Sequence, residues 1–96
     1  MQELKLILND GTEYELDWCH ADKGIFNINI KTTESFMEIA VKFGNRELTN
    51  RITAKYGDDH ENVYEGYTEL QSIQLDGWVT GSVLITLFTP ARVQAA

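Results

Sequence analysis

The chain has 96 residues, with eight Lys and Arg against fifteen Asp and Glu, a formal charge of −7 and a pI near 4.6. That length is one domain, and the acid excess excludes a general nucleic-acid binder and docking on an anionic membrane. No apolar run is long enough to span a bilayer and no signal peptide is expected before the first strand; the single Cys19 rules out an intramolecular disulfide and fits a reducing, intracellular compartment.

Leu4, Leu6 and Leu8 alternate with polar or outward positions, which predicts a half-buried strand. Asn9, Asp10 and Gly11 form a turn, and Tyr14, Leu16 and Trp18 then alternate with Glu13, Glu15 and Asp17. A two-residue loop would set Leu8 against Glu13 and Leu6 against Glu15. A three-residue loop with Gly11 left-handed sets Leu6 against Tyr14 and Leu4 against Leu16, apolar on apolar, and is therefore preferred. Residues 19–24 read as a connection. A third strand follows, with Phe26, Ile28 and Ile30 on one face.

Residues 33–44 are the convincing helix. Ser35 with Glu38 three residues on has capping-box spacing. Phe36, Ile39, Ala40 and Phe43 fall on one helical face, which Met37 and Val41 widen. Gly44 is expected to close the helix in the left-handed conformation. So short a helix is unstable alone, so its apolar face must pack on the flanking strands.

Residues 45–50 are a loop or a further helical turn. Ile52, Ala54 and Tyr56 mark a fourth strand, and residues 57–60 a polar turn. Residues 63–70 read as one strand, with Gly66 a bulge or a close approach. Ile73 and Leu75 extend it or form another. Asp76 and Gly77 turn the chain into residues 83–88, apolar enough for a central strand covered on both faces, and Pro90 stops it. The expected fold is α+β: βββ-α-βββ(β), a curved antiparallel sheet or partial barrel packed on a single helix. One globular domain covers residues 1–90, and residues 91–96 form a flexible tail.

No constellation carries chemistry. Asp58, Asp59, His60 and Glu61 form one group of metal-ligand types, and Cys19, His20 and Asp22 another. One Cys and two His cannot supply a structural zinc site without distant carboxylates, and EF-hand spacing is missing. Cys19 and His20 are strand neighbours that point to opposite faces, so they make no thiol pair. No serine lies in a nucleophile-elbow context, and no glycine-rich phosphate loop precedes the helix. The expectation is no catalytic residue, no metal and no cofactor.

Charge is distributed unevenly. Residues 1–55 hold nine acids and seven bases; residues 56–91 hold six acids and no base. The aromatics Tyr14, Trp18, Tyr56, Tyr64, Tyr67 and Trp78 could stack on single-stranded nucleic acid only beside a basic groove, which this region lacks. Tyr and acid together suit a protein-binding patch. The candidate partner-binding surface is Asp58, Asp59, Glu61, Tyr64, Glu65, Tyr67 and Glu69.

The opening LKLILNDGTEYEL and the later VYEGYTEL before an apolar strand resemble small uncharacterised proteins encoded by bacteriophages and prophages of gut Firmicutes, over residues 3–89. The resemblance implies a viral, non-enzymatic role in a bacterial cytoplasm or in the virion, and brings no site residues with it. Two functions are expected from this. The first is a small structural or assembly-associated module that binds a virion or assembly protein, by strand addition among other modes. The alternative is an acidic inhibitor of a host defence nuclease, of the anti-CRISPR kind, whose acids mimic a phosphate backbone for a basic partner. Self-association into a homo-oligomer is open beside both.

Overall fold

The computed structural model describes residues 4–57, 59–75 and 81–91 of the chain. The strands are β1 (Leu4–Ile7), β2 (Glu13–Asp22), β3 (Ile25–Lys31), β4 (Arg51–Tyr56), β5 (His60–Glu65), β6 (Glu69–Leu75) and β7 (Ser82–Phe88). Two short helices, α1 (Phe36–Phe43) and α2 (Arg46–Thr49), separate β3 from β4. All seven strands form one antiparallel sheet in the order β5-β4-β1-β2-β3-β7-β6. The α+β class therefore holds, with α2 as the further helical turn.

The first hairpin has the register that apolar matching demanded. Leu6 faces Tyr14 and Ile7 faces Glu13. Gly11 has φ +91°, and its N–H donates to the Leu8 carbonyl at 2.9 Å, which closes the three-residue loop.

The second half of β2 departs from expectation. Asp17 is an extra residue in the ladder, because Leu16 faces Ile30 and Trp18 already faces Asn29. A bulge of one residue exchanges the two faces of everything after it. Trp18 thus leaves the core side and stands 48 % exposed, while Cys19 and Ala21 turn inward against it. Nor are residues 19–24 a connection. β2 runs on to Asp22, paired with Ile25, and only Lys23 and Gly24 turn the chain. Both have positive φ, 53° and 80°, the combination that a two-residue hairpin loop uses.

Helix α1 starts as its capping box requires. Ser35 Oγ accepts from the Glu38 N–H at 3.2 Å, and Glu38 Oε2 accepts from the Ser35 N–H at 2.9 Å. Its buried face is narrower than the sequence pattern. Ile39 and Phe43 are fully buried, but Phe36 is 48 % exposed and Met37 and Val41 more so. A turn of about 100° per residue puts Met37 and Val41 opposite Ile39, so they cannot share its contact. Gly44 does not take the left-handed form (φ −82°, ψ −9°). The chain passes at once into α2, which Asn45 caps by accepting from the Glu47 N–H at 3.0 Å.

The helices sit on the inner face of the sheet, which Leu6, Leu8, Tyr14, Leu16, Phe26, Ile28, Ile30, Ile52, Ala54, Val83, Ile85 and Leu87 line as buried core. Phe43 packs on Tyr14 at 5.5 Å between ring centroids. Lys42 Nζ reaches Thr12 Oγ1 at 3.3 Å and Asp10 at 3.8 Å, and Asn9 Nδ2 donates to the Glu47 carbonyl at 3.0 Å. The first hairpin loop thereby grips both helices. β7 lies between β3 and β6. Its inner residues Val83, Ile85 and Leu87 are buried; on the other face Ser82 is buried at the start of the strand, but Leu84, Thr86 and Phe88 are partly exposed, so that face is not covered along its length.

Residues 63–70 are not one strand. They break at Gly66, φ +85°, whose N–H donates to the Asn50 carbonyl at 3.0 Å. Positive φ ends a strand and is easy only for glycine. The two pieces, β5 and β6, lie at opposite ends of the sheet order. Three residues join them, a span of at most about 14 Å from Glu65 to Glu69. The expected turn at Asp76 and Gly77, Asp58 in the β4–β5 turn, Trp78 and residues 92–96 of the tail lie outside the described residues. No helix among the described residues is long and apolar enough to cross a membrane.

Candidate functional site

β5 is the outermost strand on its side, and among the described residues it pairs with β4 alone. Period-two alternation divides its side chains. His60, Asn62 and Tyr64 lie opposite Tyr56, Ala54 and Ile52 on the inner face. Glu61, Val63 and Glu65 lie opposite Lys55, Thr53 and Arg51 on the outer face.

The candidate acids and aromatics therefore do not share one surface. Tyr64 stacks on Phe26 at 4.4 Å between centroids, and Tyr67 meets the same ring at 5.2 Å. Both are partly buried against the core. Glu61 and Glu65 are exposed on the outer face, and Asp59 is exposed in the turn. Glu69, at the start of β6, is held by Arg46 Nη2 at 3.0 Å and by Thr68 Oγ1 at 2.9 Å.

This arrangement changes what the acid-rich stretch amounts to. Glu61 faces Lys55 and Glu65 faces Arg51 across the β4–β5 ladder, and Glu69 is ion-paired to Arg46. The bases all come from earlier in the chain. One outer row continues across the sheet as Glu61, Lys55, Lys5, Glu15 and Lys31, strand by strand. Opposite charges directly across a sheet are favourable. Only Lys5 and Lys55 meet as like charges, and each has an acid on its other side. Sequence reasoning counted the acids but missed Arg46, Arg51 and Lys55 as their neighbours. The signal was present: a three-residue turn over residues 57–59 pairs positions symmetric about it, and Lys55 with Glu61 and Arg51 with Glu65 are such pairs.

Behind β5, on the inner face, Cys19 Sγ lies 3.4 Å from Tyr56 Oη. Burial, and after it the neighbouring Cys19 thiol, raises the Tyr56 phenol above its usual pKa; Tyr64 is raised for the same reasons. Cys19, Tyr56 and Tyr64 pack as partly buried groups against the core. His20 and Asp22 alternate with Cys19 and point outward, so the cluster of ligand types seen in the sequence is divided between two faces. Among the described residues no three His, Cys, Asp or Glu side chains gather where a metal ion could be held.

A shallow cleft of about 520 Å³ lies where the narrow end of the β5–β6 gap meets α2, lined by Arg46, Glu47, Asn50, Thr68, Glu69 and Pro90. Arg46 and Glu69 on its wall are ion-paired at 3.0 Å, and none of its lining residues is a Cys, His or Lys. Compared with known protein families, curated proteins and solved structures, the chain matches none.

Proposed function

We propose that the chain is a non-enzymatic module of the phage or prophage structural and assembly kind, and that it binds a protein partner by strand addition at β5. In this reading the sheet is a partial barrel closed on one side by α1, and β5 and β6 are the two lips of its open seam. One observation carries it: β5 is six residues long, exposed along its outer face and unpaired on one side among the described residues. Edge strands that are not meant to pair are usually blunted by charged side chains, especially Lys, by Pro, by a bulge or by an inward-pointing charge; β5 carries Glu61 and Glu65 on its outer face but no Lys, Pro, bulge or inward-pointing carboxylate. Main-chain groups on such an edge are a template for an extended peptide.

The nuclease-inhibitor reading needs the acids on one continuous face. Glu61 and Glu65 lie on the outer face of β5, whereas Glu69 starts β6 at the other end of the sheet order and is ion-paired to Arg46, which supports the module over the mimic.

The test is an edge-blocked variant. Asn62→Lys puts a charge on the inner side of β5 at an exposed position, where it should leave thermal unfolding unchanged. A protein captured by the wild type from phage-infected cells should be lost with Asn62→Lys. Capture that survives this change contradicts strand addition at β5.

A further inference from the structure

The reading of β5 as a docking edge has a consequence for the partner's sequence, and the inference rests on that reading. From the charge row across the outer face, we propose that the strand received by β5 is an extended basic segment, with Lys or Arg at positions i and i+4 and apolar residues at i+1 and i+3.

The outer side of the next strand is set by Glu61 and Glu65. They lie four residues apart on the same face, each with a base on its β4 side and no strand on its other side among the described residues. The acids of β2 lie between bases on β3 and β1: Glu15 is in register with Lys31 and Lys5, and the ion pairs run from Lys5 to Glu13 at 3.4 Å and from Lys31 to Asp17 at 3.8 Å. Glu61 and Glu65 have the first half of the same arrangement. A base opposite each completes it, and an acid there would be repelled. Since the strand period is two, bases opposite both carboxylates fall at i and i+4 of the incoming chain. Position i+2 meets Val63, which is 40 % exposed.

The inner side of the incoming strand is set by the seam. Its i+1 and i+3 side chains come beside Tyr64 and Asn62, facing the core lip. From the other lip, Ile73 and Leu75 lie opposite Ile85 and Val83, on the buried side of β7. Leu75 nevertheless stands 60 % exposed. Apolar side chains at i+1 and i+3 extend the core face beside the partly buried Tyr64.

The experiment uses the isotopically labelled full chain and three capped peptides built on Lys-Val-Thr-Val-Lys, Gln-Val-Thr-Val-Gln and Glu-Val-Thr-Val-Glu. Amide chemical shifts and amide exchange are followed during titration. The basic peptide is expected to perturb β5 amides 61–65 and to protect those that do not bond to β4, with affinity about tenfold or more above the acidic one. In Glu61→Gln with Glu65→Gln, a change that keeps shape, the basic peptide should fall to the level of the neutral one. Equal binding of all three at β5 overturns the basic pattern and leaves strand docking intact. Perturbation only elsewhere, or none, overturns the inference; the Asn62→Lys capture then judges the docking reading separately. Protection of β5 without peptide that grows with protein concentration gives the edge to a second copy, and protection lost on removing residues 92–96 gives it to the chain's own end. Either result overturns the proposal.

Discussion

Phe26 and Tyr64 stack with ring centroids 4.4 Å apart, although β3 and β5 stand four positions apart in the sheet. In a flat sheet that separation is about 19 Å. The rings can meet only if the sheet bends so that its inner face closes on itself. Their contact ties the seam of the proposed partial barrel to its core. Phe26→Ala should cost about 3–5 kcal/mol. A double-mutant cycle with Tyr64→Ala should give a coupling of about 0.5–1.5 kcal/mol. Additive losses in denaturant melts would mean that the rings do not meet in solution.

Only one stripe of α1 belongs to the core. Phe43→Ala, at a fully buried position, should cost about 3–5 kcal/mol. Phe36→Ala should cost less than about 1 kcal/mol, since that ring is half in water. Similar losses at the two positions, measured in the same denaturant series, would show that the helix is rotated from the orientation described.

Ser35 and Glu38 satisfy each other's backbone N–H groups at the start of α1. Ser35→Ala should lower stability by about 1 kcal/mol, and Ser35→Gly by only a few tenths. A neutral Ser35→Ala would mean that the chain before the helix supplies another cap.

Three phenols give an alkaline limit. Burial, followed by the hydrogen bond from Tyr14 Oη to Glu34 at 2.7 Å, raises the Tyr14 pKa. Burial and the Cys19 thiol raise those of Tyr56 and Tyr64. A pKa higher in the folded than in the unfolded chain means that folding favours the protonated phenol. The resulting stability is complete below the unfolded value of about 10 and is lost as the pH rises through the folded values. Tyrosinate absorbance should therefore show late-titrating phenols, one fewer in Tyr14→Phe, and unfolding should become easier above pH about 10. Titration of these three at the ordinary tyrosine value would contradict their burial.

Parts of this architecture were legible in the sequence because local chemistry decides them. Leu6 opposite Tyr14 follows from matching apolar faces, and the α1 cap follows from a serine and a glutamate at fixed spacing. Trp18 was misplaced because a bulge at Asp17 leaves no mark in an alternating pattern. The strand over residues 63–70 was read through Gly66 because a glycine in a strand pattern signals a bulge as readily as a break. Which edge each half then joins is decided by long-range pairing. Met37 and Val41 were counted as core because an eight-residue helix apolar on most sides does not show which stripe the sheet will cover. For the site, composition reveals Glu61, Glu65 and Glu69; Lys55 and Arg51 follow once the turn over residues 57–59 sets the register, while Arg46 emerges only from helix placement.

Docking at β5 requires a free edge, and amide hydrogen exchange of the chain alone at low concentration tests that most directly. The β5 amides that do not bond to β4 should exchange close to open-chain rates, while those of β3 and β7, paired on both sides, should be protected up to global unfolding. Uniform protection along β5 would show that the edge is already covered, and would contradict both the docking edge and the partner pattern drawn from it.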